Sequence, residues 1–200
     1  MTRTALAAVV CTVLLSTAAQ SAAAQEGTPA AAGTPEALAR ELAARPAVAQ
    51  LAGTDTLTLK IPKDPEMFAL PDGASPALLV RLPDRTTRYD VSVRSYMFKP
   101  VGLTLKVFVP TVAVLDDTFT LTRTMTEDDL YPRGETFSKG QSFEVVLAIE
   151  PSLRNERFLL LYTNGRKIGG YPFTAHVRTF KTPYQPKRTA EGTVEVRVLH

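Results

Sequence analysis

The sequence has no tryptophan, one cysteine and two histidines among its 200 residues. That scarcity removes every Cys–His catalytic scheme and most zinc-type metal sites, which draw on those side chains. No apolar run approaches the roughly 20 residues that a bilayer-spanning helix requires. Neither sign of charge dominates: 23 Lys and Arg against 20 Asp and Glu leave a net +3, too little for a polybasic surface that grips nucleic acid. A hydrophobic fraction of 44% with 22% charged residues excludes a wholly disordered chain.

What is present begins with a leader. Met1-Thr2-Arg3 is a short basic start, Ala5–Leu15 is apolar, and Ala22-Ala23-Ala24 is a small-x-small cleavage pattern. Residues 1–24 therefore read as a signal peptide, with a mature chain starting at Gln25 and a periplasmic destination. Cys11 lies inside the apolar run behind Val9 and Val10, not behind small residues, so lipidation is not expected. The mature chain then has no cysteine. A domain of about 145 residues buries roughly two-thirds of the surface it exposes when unfolded, so it needs no disulfide.

Residues 25–54 read as a small, polar linker followed by a short helix. Thr34 is a capping residue, Pro35 suits the first helical position, and Glu36 falls in the first turn. Leu38 and Leu42 supply an apolar stripe, which predicts a helix over 35–44 resting on the domain edge. From residue 55 the hydrophobic period becomes two. Leu57, Leu59 and Ile61 alternate with polar neighbours, as do Tyr89, Val91 and Val93, then Phe143, Val145, Leu147 and Ile149, then Val194, Val196 and Val198. Residues 55–200 are accordingly expected to form an all-β domain, an antiparallel β-sandwich of about ten strands. Ala77–Leu82 and Arg157–Tyr162 are more continuously apolar, as strands covered on both faces would be. Asn164-Gly165 predicts a hairpin turn, Gly169-Gly170 a bulge or close backbone approach in the strand after it, and Asp116-Asp117 a turn.

The chain offers little for catalysis. It has no Gly-x-Ser-x-Gly elbow, no His-Glu-x-x-His and no glycine-rich phosphate loop. His176 is the only internal histidine and reads as a solvated loop side chain. Asp116-Asp117 and Glu127-Asp128-Asp129 lack the spacing of a calcium loop, and the second reads as a solvated loop tip. The reading is of a non-enzymatic protein with no cofactor and no metal. Aromatics and cations concentrate outside clear alternation only over 166–188. There Arg166, Tyr171, Phe173 and Tyr184 are candidate ligand contacts, because aromatic faces stack on sugar rings while planar polar groups hold hydroxyls. The same aromatics would equally pin a long loop to the sandwich.

The run Val101–Asp116 (VGLTLKVFVPTVAVLD) resembles the maltose operon periplasmic proteins, the MalM family, in its strand, its Pro110 and its short apolar strand closed by Leu115-Asp116. The order continues similarly through Phe143–Pro151, Phe158–Thr163, a Tyr- and Pro-bearing loop and a terminal Gly192-Thr-Val-Glu-Val-Arg-Val strand. The resemblance spans roughly 55–200. It implies a soluble periplasmic protein associated with maltose or maltodextrin uptake, with no catalytic residues to carry over. The expected partner is a maltodextrin-type carbohydrate or a periplasmic protein, with neither nucleic acid nor a membrane span involved. The alternative is a cell-envelope interaction module that binds a protein partner or a cell-wall polymer through a strand edge or the basic loop.

Overall fold

The computed structural model describes residues 33–45, 49–52, 56–98, 104–134, 140–171 and 186–199. The expected leader and most of the linker lie outside them. In chain order the elements are helix α1 (Pro35–Ala43) and strands β1 (Ala49–Gln50), β2 (Thr56–Ile61), β3 (Phe68–Leu70), β4 (Gly73–Ser75), β5 (Ala77–Arg81) and β6 (Tyr89–Tyr96). There follow β7 (Lys106–Val107), β8 (Thr111–Asp116), β9 (Leu121–Met125), β10 (Tyr131–Arg133), β11 (Ser142–Ile149), the single turn α2 (Pro151–Arg154), β12 (Glu156–Tyr162), β13 (Lys187–Arg188) and β14 (Gly192–Leu199).

Ten of these strands make two five-stranded sheets, ordered β1-β5-β12-β8-β9 and β10-β11-β6-β14-β2. The sheets are antiparallel except for the two-residue β1, which runs parallel to β5. Hydrophobic alternation explains the stacking. Val91 and Val93 of β6, Val145 and Leu147 of β11, and Val194, Val196 and Val198 of β14 turn one way. They meet Val80 of β5, Leu159 and Leu161 of β12, and Val112 and Val114 of β8 in a single core. The fold is a β-sandwich. Four shorter strands form two ribbons, β3–β4 and the parallel pair β7–β13.

Helix α1 closes the outer face of the first sheet. Thr34 caps it, its hydroxyl accepting from the Ala37 N–H at 3.3 Å. Leu38, Ala39 and Leu42 pack against Leu79, Ala113, Leu115, Leu160 and Tyr162 to form a second apolar layer. The continuous apolar runs of β5 and β12 are thus covered on both faces, as expected, and α1 lies across a sheet face, not merely at the domain edge. The outer face of the second sheet is instead polar, held by the buried Glu144. Its carboxylate accepts from Ser92 Oγ at 2.5 Å, Arg133 Nε at 2.6 Å and Arg94 Nη2 at 3.1 Å.

At the start of β12 the fully buried Glu156 accepts from Thr122 Oγ1 and Arg123 Nη2, both at 3.1 Å, and from the Glu150 N–H at 2.8 Å. These bonds brace one end of the strand. The other end runs into the candidate site. Leu160 is fully buried between sheet and helix. Leu160→Ala is expected to cost about 2–5 kcal/mol of folding free energy, read as a lower urea midpoint at an unchanged slope.

Candidate functional site

Beyond Tyr162 the chain leaves β12 through Thr163 and Asn164 and tightens into a 3-10 turn, Gly165–Lys167. This is not the expected hairpin. Gly165 has no positive φ; it is needed because the β3–β4 ribbon crosses it, and a Cβ there would lie 2.2 Å from the Ala74 carbonyl oxygen. The crossing is stitched by backbone and side chain: the Arg166 N–H donates to the Asp72 carbonyl at 2.8 Å, and Arg166 Nη2 to the Pro71 carbonyl at 2.9 Å. Thr163 N–H donates to Ser75 Oγ at 2.8 Å.

Gly169 and Gly170 lie in a turn, not in the strand expected there, and Gly169 adopts φ +88°. That bend brings the turn to β13. The Gly169 N–H donates to the Arg188 carbonyl at 2.9 Å, and the Arg188 N–H donates back to the Gly170 carbonyl at 2.8 Å. Because β13 runs beside β7, the Arg188 side chain is carried inward and is almost wholly buried.

The third wall comes from Glu127–Asp129, also a 3-10 turn; Asp128 and Asp129 are exposed, as a solvated tip would be, but Glu127 is turned inward. Two features hold it. The Thr126 N–H donates to Asp129 Oδ2 at 2.8 Å, and Leu130 is buried just after it. Glu127 then pairs with two cations at once, Oε1 with Lys167 Nζ and Oε2 with Arg188 Nη2. Burial alone would raise the Glu127 carboxyl, but the hydrogen bonds from Lys167 and Arg188 outweigh it and hold it below the usual carboxylate range.

These walls enclose two adjoining hollows that share Glu127, Lys167 and Arg188. The inner one, about 230 Å³, is also lined by Asp72, Asp128, Tyr162 and Asn164. The outer one, about 250 Å³, is bounded by Arg166, Gly170 and Tyr171, whose ring is 58% exposed. Two buried polar atoms of lining residues have no hydrogen-bond partner among the described residues: Asn164 Oδ1 and Arg188 Nε. Of the residues expected to contact a ligand, Arg166 and Tyr171 come together at the outer hollow, with Arg166 also securing the β3–β4 crossing. Phe173 and Tyr184 lie outside the described residues, as does His176.

Sequence reasoning missed Glu127, Asn164 and Arg188. The Thr126-x-x-Asp129 spacing could have marked a fixed turn at Glu127; nothing local signals the burial of Arg188. Asp116 is the turn residue it was expected to be, accepting at 2.8 Å each from the Thr118 N–H, the Thr118 hydroxyl and the Thr120 N–H. Among the described residues no group of three or more His, Cys, Asp or Glu is placed to hold a metal ion. Nor is any described helix long and apolar enough to cross a membrane.

Two expectations follow. Gly165→Ala should lower stability by about 1–3 kcal/mol through overpacking against Ala74, whereas Gly134→Ala, with nothing within 4 Å of the added methyl, should stay within about 0.5 kcal/mol. Thermal melts of the two variants check this. Glu127, Glu144 and Asp116 all have carboxyl pKa values held below their ordinary ones. Their contribution to stability is therefore full above the ordinary carboxylate pKa of about 4.5 and fades as pH falls through the lowered native values. Urea midpoints taken from about pH 7 down to about pH 3 should show that acid loss, and Glu127→Gln should make it shallower.

Compared with known proteins, residues 72–190 match the family model described as maltose operon periplasmic protein precursor (MalM). No curated protein matches the chain. A solved structure, the pre-peptidase C-terminal domain of a collagenase from Bacillus anthracis, aligns over 78% of this chain and 98% of that one at 10% identity, with a TM-score of 0.34.

Proposed function

The chain belongs to the maltose operon periplasmic protein family, and on that premise we propose that it is a non-enzymatic periplasmic protein that binds a maltodextrin-type carbohydrate and assists its uptake. The observation that carries the reading is the cleft itself. An exposed tyrosine ring borders planar polar groups, Arg166, Arg188, Asn164 and Glu127, in a recess of a size suited to one or two sugar rings. Such a surface stacks a pyranose on Tyr171 and receives its hydroxyls below. Glu127 is unsuited to acid catalysis, because two cations keep its carboxylate ionised where a general acid needs a raised pKa.

The partner-binding reading has one feature in its favour. The outer edge of β2 is unpaired among the described residues, and Lys60 is the only charged side chain along its six residues. Calorimetric titration with maltotriose and maltoheptaose separates the two readings. Binding at up to millimolar sugar is expected, with Tyr171→Ala weakening it by roughly 5–10-fold, the range of one lost aromatic contact. Absence of both heat and thermal shift at that concentration rejects the carbohydrate reading in favour of a partner at the β2 edge.

A further inference from the structure

Two five-stranded sheets have four edges, and an unpaired edge invites another chain to add to it unless something prevents that. Three of the four are blunted. Strand β1 has only two residues. Strand β10 has three, and Pro132 at its centre has no N–H to offer. Strand β9 carries Arg123, whose guanidinium turns inward to Glu156 and takes the Ala148 carbonyl on the part of β11 that β10 leaves uncovered. The outer edge of β2 has none of these devices. It runs for six residues without a proline, and its core-facing side chains are Leu57, Leu59 and Ile61. Among the described residues no strand pairs with it. The two leucines show the consequence. Val196 and Val194, opposite them on β14, are wholly buried, while Leu57 and Leu59 are only half-buried. An added strand would cover them. At the Ile61 end an open hollow of about 470 Å³, bordered by Pro62, Phe98 and Gly192, leaves room for that strand to run on.

The side-chain pattern selects the strand that fits. Thr56, Thr58 and Lys60 face outward and the leucines inward, so an incoming antiparallel strand must alternate in the same way. A second copy of β2 does so when a two-fold axis passes through Thr58. Thr58 then meets Thr58, Leu57 meets Leu59, and Lys60 meets the neutral Thr56. Centring on Lys60 would set two lysines against each other, and centring on Leu59 would put Pro62 opposite Thr56. We infer that β2 is the contact strand of a two-fold dimer, in which it pairs antiparallel with β2 of a second copy of this chain about Thr58. The symmetry closes the assembly at two chains, because each copy offers one unguarded edge. This rests on the β2-edge reading above and names its partner; it uses no residue that lines the cleft.

The test uses the protein recovered from a periplasmic extract. Sedimentation equilibrium from about 1 to about 100 μM should show the mass of one chain rising to that of two and no further. Cys11, in the expected leader, is the only native cysteine, so single introduced cysteines report the register. Thr58→Cys sets two thiols opposite one another within disulfide reach, whereas Lys60→Cys leaves them about 13 Å apart along the strand. Oxidation should therefore link the first variant into dimers and not the second. Thr58→Lys places its cation beside Glu195 in its own sheet, which suits the single chain, but sets two cations together at the axis. It should raise the dimer Kd at least about ten-fold. The sedimentation of the unaltered chain does not depend on how any variant folds. A single chain at every concentration, with Thr58→Cys linked instead to a different protein, overturns the second copy and leaves the β2-edge reading standing. A single chain with no link of either kind overturns both. A dimer that Thr58→Lys does not weaken and Thr58→Cys does not link overturns the contact at β2.

Discussion

Strand β12 is enclosed on every side, since β5 and β8 hydrogen-bond its two edges, Leu159 and Leu161 enter the core between the sheets, and Leu160 and Tyr162 lie under α1. A strand in that position cannot slip by one residue without exchanging its two apolar faces, and it cannot tilt without opening one of two packed layers. Glu156, with its hydrogen bonds to Thr122, Arg123 and the Glu150 backbone, fixes where the strand begins. Where it ends is therefore fixed as well. Thr163, Asn164 and the 3-10 turn after them inherit that position, so this wall of the cleft is built on a strand held at both edges and on both faces.

The other walls reach the same place from distant parts of the sequence, and charge joins them. Glu127 follows β9, Lys167 follows β12, and Arg188 sits on β13. One carboxylate bridging two cations is more informative than two separate pairs, because it determines which donors are spent and which remain. The family match spans residues 72–190 and so includes the lining residues of both hollows, but it names no ligand for them; what the hollows could hold is argued from their side chains alone.

Legibility in the sequence followed the range of the interactions concerned. Period-two alternation marked β2, β6, β11 and β14, and Thr34-Pro35-Glu36 marked α1, because these signals lie within a few residues of one another. The unbroken apolar runs of β5 and β12 even indicated cover on both faces. Among the strands of two or three residues, β1, β3, β4 and β10 carry too little pattern to be seen. Asn164-Gly165 misled because its glycine answers a crossing segment from residues 73–74, a requirement of tertiary contact with the same local signature as a hairpin. Tyr171 and Arg166 were visible as an aromatic beside a cation. Glu127 and Arg188 were not, since the burial of Arg188 depends on β13 lying parallel to β7, far away along the chain.

The placement of α1 has one more effect. With that helix laid over one sheet and an ion-paired array of Arg94, Arg133 and Glu144 spread over the other, the two broad sides of the sandwich are covered differently: one by a helix that seals a layer of hydrocarbon beneath it, the other by charged side chains standing directly on the sheet. The helix side still presents Arg40 and Glu41 to solvent, so the two broad sides differ in what lies beneath their charged surfaces: a second apolar layer under one, and the sheet itself under the other.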